Sequence, residues 1–384
     1  MNLNRTSRPT YNEKPNALPP GTERAYPSTH VPRLTDAMRV VQTKTDYVRH
    51  LVFRAILHGD YVPGDKIPTE RAMEVQTSMS RVTVRRAYAE LQQAGILQRR
   101  QGRGTFIATT SRANGQTMRE IALLGILRHP FALEFIEAME TSAKEEDALL
   151  ILSITKHDPV IEEATAIDLV GKGIRNLVVW PSGSMFASDT FRRLRILGTN
   201  MVFFDRMLPG PYADYVGLDN THAILTLIEA ALRKGKKHFI FISHDGLNAD
   251  SDHQREEAFL LHCAKENLPY QLVRVAWQGD MAAAIRRHQH DWFGDPQDLA
   301  VICVNDDVAI HAKAAGGPKL DVYGIDGLPE AVGAGIPTYA QPMKEMAQKV
   351  IELLAAQQKQ SENWHAQSVY CRGKLIGSEK QQAI

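Results

Sequence analysis

Arginine and hydroxyl side chains gather in one short stretch of this sequence, residues 80–86, which reads Ser-Arg-Val-Thr-Val-Arg-Arg. An arginine guanidinium can donate two parallel hydrogen bonds to the O6 and N7 atoms of guanine. Serine and threonine hydroxyls can donate to phosphate oxygens. Three further arginines follow a short way along the chain, at Arg99, Arg100 and Arg103. This combination predicts contact with a nucleic acid.

A second group of polar residues follows apolar runs in the rest of the chain. Asp205 and Arg206 come after MVFF, Asn305 after VICV and Asp326 after VYGI. Ligands of open parallel sheets bind outside the carboxyl ends of the strands. Arg, Asn and Asp side chains there can hold neighbouring hydroxyl groups by paired hydrogen bonds. Three aromatic rings could stack on the apolar face of a sugar or, alternatively, pack in the core, namely Phe131, Trp180 and Trp277.

Other kinds of chemistry are not indicated. The sequence has no P-loop, no GxGxxG after the first strand and no histidine or acidic spacing typical of metal ligands. The GKGIR segment at residues 171–175 is interpreted as a helix-to-strand turn. We predict no cofactor and no metal, and we place His157, His244 and His311 in solvated loops.

The arginine-rich stretch needs helices to position it. Apolar residues from Thr43 to Leu57 keep helical spacing, and Thr69 and Ser80 are typical helix N-caps. Two short strands follow, Ile96–Leu97 and Thr105–Ile107. The turn between them is predicted to hold Arg99, Arg100, Gly102, Arg103 and Gly104. These elements predict a winged helix-turn-helix domain over residues 34–107.

The second group of polar residues needs parallel sheets. Short apolar runs alternate with amphipathic stretches, which favours an α/β, doubly wound architecture. The number of runs predicts two sheets and therefore two lobes over residues 120–384. The runs are Ile121–Leu127, Leu149–Ile154, Leu177–Trp180, Met201–Phe204, Phe239–Ile242, Leu272–Val275, Ala300–Val304 and Val322–Ile325. Polar residues 1–33 are interpreted as a disordered tail and residues 108–119 as a linker.

Composition sets further limits. The chain has 384 residues, 43% of them hydrophobic, and a net charge of +1. Lysine and arginine outnumber aspartate and glutamate in residues 1–107, whereas aspartate and glutamate are in excess in residues 108–384. A polyanionic partner is therefore expected only for residues 1–107. The three widely spaced cysteines, the absence of a long apolar run and the polar N-terminus predict buried thiols, no membrane span and a cytoplasmic protein.

Residues 43–107 closely resemble the DNA-binding domain of the GntR family. The resemblance rests on the motifs PGDKIPTER, SRVTVRRA and GILQRRQGRGTF. It implies that DNA is contacted by Arg71, Ser80, Arg81, Thr83 and Arg85, and by a wing tip of Gln101, Gly102 and Arg103.

Residues 120–378 resemble the LacI-type effector domain, which has the periplasmic-binding-protein fold. The resemblance rests on FFDR, YVGLDN, the S-x-x-x-R-x-x-x-F motif at Ser251–Phe259, VNDDVAIHA and VYGIDG. It implies that Arg255, Asn305 and Asp326 bind the effector, with Asp205 or Arg206 nearby. The fusion of the two domains is similar to the arabinose repressor group, so a pentose or related sugar is the leading candidate effector.

The resemblance implies a repressor that is released from DNA by a sugar. We expect a homodimer on a two-fold symmetric double-stranded operator, with half-sites about one helical turn or a multiple apart. A regulator that uses the small molecule as corepressor is the main alternative. An enzyme with a fused DNA-binding head and a periplasmic binding protein are further alternatives, opposed by the absence of catalytic motifs and of a signal peptide.

Overall fold

A computed structural model describes the protein at residues 43–108, 118–125, 130–182, 187–208, 210–247, 249–276, 280–288, 292, 295, 297–359 and 364–377. The predicted tail, residues 1–33, lies outside the described residues. The same is true of residues 34–42, of residues 109–117 in the predicted linker, and of Trp277.

Within its described residues, the first domain has three helices followed by a hairpin. Its elements are α1 (Lys44–His58), α2 (Glu70–Thr77), α3 (Arg81–Gln93), β1 (Leu97–Arg100) and β2 (Gly104–Ile107). The predicted N-caps are confirmed, because Thr69 Oγ1 accepts from Ala72 N and Ser80 Oγ accepts from Thr83 N. The hairpin strands are longer than predicted.

The predicted wing turn was too wide. Arg99 and Arg100 lie in β1, where they pair with Thr105 and Gly104 of the antiparallel partner strand. Only residues 101–103 form the turn, closed by a hydrogen bond from Arg103 N to Arg100 O. Gly102, with φ of 72°, allows the chain to reverse so tightly.

The second domain begins with a six-stranded, wholly parallel sheet, which we call the N-terminal lobe. Its strand order is β13-β7-β6-β5-β3-β4. Its strands and helices are β3 (Glu120–Gly125), α4 (Pro130–Glu145), β4 (Leu149–Ile154), α5 (Pro159–Gly171), β5 (Asn176–Val179), α6 (Ala187–Ile196), β6 (Asn200–Phe204), β7 (Asp214–Leu218) and, much later in the chain, β13 (Ser368–Cys371).

The C-terminal lobe is a second six-stranded sheet in the order β14-β12-β11-β10-β8-β9, parallel except for β14. Its elements are α7 (Asn220–Arg233), β8 (His238–Asp245), α8 (Asp250–Lys265), β9 (Tyr270–Ala276), α9 (Met281–His288), β10 (Leu299–Cys303), α10 (Asp306–Gly316), β11 (Asp321–Asp326), α11 (Pro329–Gly333), β12 (Thr338–Ala340) and β14 (Lys374–Ile376). The last helix, α12 (Met343–Lys359), returns to pack on α4, β6 and β7 of the N-terminal lobe.

The chain crosses between the lobes three times, at residues 219, 341–342 and 372–373. The crossings lie side by side. Arg372 Nε donates to Asp219 Oδ2 at 2.9 Å, and Asp219 N donates to Cys371 O at 2.8 Å. They form the hinge on which the lobes are joined.

Two buried clusters hold the molecule together. One extends through both lobes, and the other joins the winged helix to the outer face of the N-terminal-lobe sheet. Cys263, Cys303 and Cys371 are buried free thiols, as predicted. Within the described part of the chain, no helix is long and apolar enough to cross a bilayer.

Candidate nucleic-acid interface and candidate ligand pocket

Helix α3 separates an apolar face from a cationic one. Val84, Ala87, Tyr88 and Leu91 are buried against the other helices. The opposite face holds Arg81, Val82, Arg85 and Arg86, and all four are exposed. The hydroxyls of Ser80 and Thr83 bond each other at 2.9 Å, which fixes the first turn of the helix.

One carboxylate organises the arginines at the start of α3. Glu70 Oε2 accepts from Arg85 Nε at 3.1 Å and lies 3.6 Å from Arg81 Nε. Arg81 and Arg85 nevertheless remain 59% and 62% exposed, so both can reach a ligand in solvent. This role of Glu70 was not predicted, although an acid within so basic a surface is itself a signal of arginine positioning.

The remaining predicted DNA-binding residues are on the same domain and open to solvent. Arg71 is exposed on α2, and Gln101, Gly102 and Arg103 are exposed at the wing tip. Arg100 lies over the Phe106 ring at 4.7 Å, which stiffens the wing by a cation–π contact. This exposed cationic surface is suited to the groove of a nucleic-acid duplex. The role of each of these residues in binding stays a prediction.

A cavity of about 170 Å³ opens between the two lobes at the carboxyl ends of the strands. It brings together seven of the eight predicted ligand residues, Phe131, Trp180, Asp205, Arg206, Arg255, Asn305 and Asp326. The eighth, Trp277, lies outside the described residues. The remaining lining residues are His157, His244, Leu247, Ser251, Asp252, Met281, Asp307 and Gln341.

The N-terminal-lobe wall is held by a buried tryptophan. Trp180 Nε1 donates to Asp205 Oδ2 at 3.0 Å, and Arg206 Nε lies 3.8 Å from the same oxygen. The Trp180 ring packs edge-on against Phe131 and Phe204 and is only 4% exposed. Only a small part of the Trp180 ring therefore reaches the cavity, so its predicted stacking role has limited surface to act through.

The C-terminal-lobe wall is built around Arg255, which is 4% exposed. Its Nε donates to Asn220 Oδ1 at 2.8 Å and its Nη1 donates to Val304 O at 2.7 Å. Asn305 caps α10 by accepting from Val308 N at 2.9 Å, which leaves its amide NH₂ for a ligand. These bonds fix both side chains before any ligand arrives.

Asp326 lies at the end of β11, next to the second crossing. Gln341 Nε2 donates to its Oδ1 at 2.9 Å. Burial raises the pKa of Asp326 to about 8; Arg255 opposes the shift, while Asp306 and Asp205 add to it. A carboxyl group that keeps its proton near neutral pH can both donate and accept a hydrogen bond.

His311 lies on helix α10 and not in the predicted loop. The prediction for His244 was also wrong. It was placed in a solvated loop, but it lies at the end of β8 with a side chain that is 7% exposed. Its Nδ1 bonds Asp252 Oδ2 at 2.7 Å, and both residues line the cavity. The strand-end rule that singled out Asp205 and Asn305 applies equally to the ISHD segment and could have found it.

The charge of the cavity favours ligands that are not anions. Three carboxylates line it, from Asp205, Asp252 and Asp307, together with the protonated carboxyl group of Asp326, against the two guanidinium groups of Arg206 and Arg255. Both guanidiniums already have protein acceptors. Within the described ranges, no three His, Cys, Asp or Glu side chains gather as metal ligands would.

Two family matches cover the chain in separate pieces. Residues 44–107 match the bacterial regulatory proteins of the gntR family, and residues 228–376 match the periplasmic binding protein-like domain.

Similar proteins match over limited lengths. The uncharacterized HTH-type transcriptional regulator YhcF of Bacillus subtilis (strain 168) is 40% identical over 57 residues, 15% of this chain and 47% of that protein. The arabinose metabolism transcriptional repressor of Geobacillus stearothermophilus is 27% identical over 130 residues, 34% of this chain and 36% of that protein. The chain thus spans less than half the length of these relatives.

Similarity to solved structures establishes the fold of the two lobes. The periplasmic binding protein/LacI transcriptional regulator from Alkaliphilus metalliredigens QYMF, complexed with D-xylulofuranose, matches with a TM-score of 0.56 and 17% identity. The match covers 67% of this chain and 97% of that one. The chain therefore joins a winged-helix region that matches the gntR family of bacterial regulatory proteins to a two-lobed domain with the fold of periplasmic binding proteins and LacI-type regulators.

Proposed function

We propose that this protein is a sequence-specific transcription repressor that releases its operator when an uncharged sugar binds between the lobes. One observation carries the proposal: an exposed arginine surface on a winged helix and a polar cleft at strand carboxyl ends occur in one chain. The repressor names of relatives such as the arabinose metabolism repressor support it. A regulator of this kind works on the chromosome, so we propose a cytoplasmic location.

DNA recognition is assigned to the start of α3 and to the wing. In helix-turn-helix proteins the N-terminal residues of the recognition helix lie against base edges. Arg81 and Arg85 occupy that place, and Glu70 holds them in position. Exposed Val82 is suited to contact with a thymine methyl group.

The ligand is assigned to the class of small uncharged polyols. A cavity of about 170 Å³ is below the roughly 300–1,000 Å³ of sites that hold drug-sized ligands. The excess of carboxyl groups opposes a phosphate or carboxylate on the ligand, because like charges brought together out of water repel. Pentoses and hexoses meet both conditions.

A homodimer is proposed from an exposed apolar edge. Strand β4 has only β3 as a neighbour among the described strands. Its side chains Leu149, Leu152 and Ile154 are 72%, 48% and 46% exposed. Exposed apolar edge strands mark association sites, and a second copy placed there would pair two winged helices for a two-fold symmetric operator.

The DNA assignment is tested by replacing Arg81 with alanine. The full-length wild-type chain is first used to select a DNA duplex from a random pool. In a gel shift, Arg81→Ala should bind this duplex more weakly than wild type by about 1–3 kcal/mol. Arg192→Ala, at an exposed arginine on α6, should bind like the wild type. Equal affinity of Arg81→Ala and wild type, or failure to recover any duplex, contradicts the proposal.

The ligand class is tested by thermal shift with matched pairs such as D-ribose and D-ribose 5-phosphate, alongside L-arabinose, D-xylose and D-allose. A true effector at 100 times its Kd should stabilise the protein by about 2.7 kcal/mol. Only uncharged sugars should do so, and Arg206→Met should lose the response because it removes hydrogen-bond donors from the cleft. Stabilisation by the phosphate alone contradicts the assignment.

A further inference from the structure

The winged helix rests directly on the N-terminal lobe. Helix α1 packs against α5 and α6, and the two domains share one buried cluster. Phe53 of α1 is 1% exposed, and a Cβ added at Gly171 of α5 would lie 2.9 Å from its Cε2 atom. At residue 171 the two surfaces therefore approach so closely that only glycine is accommodated without a shift. Beside this contact the interface leaves a cavity of about 240 Å³, lined by Phe53, Asp168 and Gly171 among others.

Two arginines of the N-terminal lobe cap helices of the winged helix. Arg193 Nη1 donates to Ile56 O, in the last turn of α1, at 3.3 Å. Arg175 Nη2 donates to Ala94 O, directly after α3. The last carbonyls of a helix have no partner within the helix and carry partial negative charge, so cations stabilise them. Burial lowers the pKa of Arg175 to about 10, which leaves it charged at neutral pH.

One buried arginine, paired with two partly exposed carboxylates, links the lobe to the recognition helix. Arg49 of α1 is 6% exposed. Its Nη2 lies 3.1 Å from Asp168 Oδ1 on α5, and its Nη1 lies 3.4 Å from Glu90 Oε2 on α3. A buried charge of this kind needs its partners, because removing one leaves the other uncompensated. The pair therefore specifies how α1, α3 and α5 sit together.

The other end of α5 contacts the segment that supports the cavity wall. Glu162 is 1% exposed, and its Oε2 accepts from Ser182 N at 2.9 Å. The neighbouring carbonyl, Pro181 O, accepts from Arg206 Nη1 at 3.4 Å, and Arg206 lines the cavity. Glu162 and Asp168 are roughly 9 Å apart along the helix axis. One short helix thus contacts the winged helix directly and is linked to the cavity residue Arg206 through Ser182 and Pro181.

We infer that the α5–α6 face of the N-terminal lobe is a docking surface for the winged helix of the same chain, and that it holds this domain as a rigid head. In each chain, α5 then carries a movement of the cavity wall to the recognition helix. The docking stands on the contacts alone, whereas its effect on operator binding rests on the proposed function. Rigid heads on a dimer have a fixed separation, so they select one spacing of operator half-sites.

The docking is tested by hydrogen exchange on the full chain. The double variant Arg175→Met/Arg193→Met removes both helix caps, and Arg192→Met is the matched control because Arg192 pairs with Asp189 on its own helix. Exchange of the α1 amides should rise at least tenfold in the double variant only, with the strands of the C-terminal lobe unchanged. Equal exchange in all three proteins overturns the docking.

The consequence is tested with DNA. A duplex recovered by the wild type is lengthened by about five base pairs between its half-sites, half a helical turn. Wild type and Arg192→Met should lose at least tenfold in affinity, and the double variant less than threefold. A wild type that tolerates the insertion overturns the rigid head. If the selected duplex contains only one half-site, the proposed dimer is contradicted instead. The docking is then decided by the hydrogen-exchange experiment alone.

Discussion

Two aspartates that line the cavity hold the backbone in the left-handed region, with φ of 61° at Asp205 and 133° at Asp326. This conformation costs a residue with a Cβ on the order of 1–3 kcal/mol and persists where the surroundings enforce it. Tyr215 donates to Asp205 O at 3.1 Å, and Gln341 Nε2 donates to Asp326 Oδ1. Both carboxyl groups are therefore held toward the cleft at the cost of local backbone strain.

The raised pKa of Asp326 predicts a pH effect on stability. The group binds its proton up to about pH 8 when folded but only to about pH 4 when unfolded. Between these values the folded state holds more protons, so the free energy of unfolding falls as pH rises. Asp326→Asn removes this loss.

We compare the midpoint of thermal unfolding of Asp326→Asn with that of wild type. As the pH is raised from about 5 to about 9, the midpoint of the variant minus that of wild type should therefore increase. Asp307→Asn, at a half-exposed carboxyl in the same cleft, is the control. A difference between Asp326→Asn and wild type that stays constant over this range contradicts the assignment.

The sequence predicted cleft residues where each follows a long apolar strand, as Asp205, Asn305 and Asp326 do. It missed Gln341, because β12 is only three residues long and has no recognisable apolar run. It missed the partnership of His244 with Asp252, since a strand end and a helix turn eight residues apart meet only in the folded chain. Spacing along the chain cannot show which side chains face each other across a turn.

At the scale of elements, the helices and long strands could be predicted and the short crossing strands could not. The winged helix followed from its caps, since Thr69 and Ser80 mark two helix starts. Strands β12, β13 and β14 have three or four residues each, and β13 and β14 lie at sheet edges, so their hydrophobic pattern is weak. Their pairing is determined by the hinge and not by local sequence.

The hinge is packed so closely that one methyl group should disturb it. A Cβ at Gly373 would lie 1.9 Å from Ala340 O, so one crossing would have to move away from another. We expect Gly373→Ala to lower the free energy of unfolding by about 1–3 kcal/mol in urea denaturation.

The matched control for Gly373→Ala is Gly333→Ala. A Cβ there meets nothing within 4 Å, and Gly333 lies at the end of helix α11. Alanine in a helix is favoured over glycine by roughly 0.5–1 kcal/mol, so this variant should be as stable as wild type or more so. Equal stability of the two glycine variants would show that the crossings are not tightly packed in solution.

At the scale of the whole molecule, the exposed edge strand β4 predicts self-association. Charges placed on it, in Leu152→Lys/Ile154→Lys, should convert a dimer to a monomer in sedimentation velocity, because a dimer contact there would bury both lysines. Val332→Lys, at an exposed apolar residue on α11, should leave the mass unchanged. A wild-type monomer, or a dimer that survives the double substitution, contradicts the proposed dimer.

The three crossings also have a consequence for how such proteins can be recombined. Neither lobe is a continuous piece of chain, because α12 and β13 belong to the first lobe but follow almost all of the second. A break after β12 would strip an edge strand from each sheet. The sensor can therefore be exchanged between proteins only as one block from β3 to β14. The winged helix is the unbroken piece of residues 44–107, but a graft that keeps it docked must also keep Asp168, Arg175 and Arg193 of the lobe.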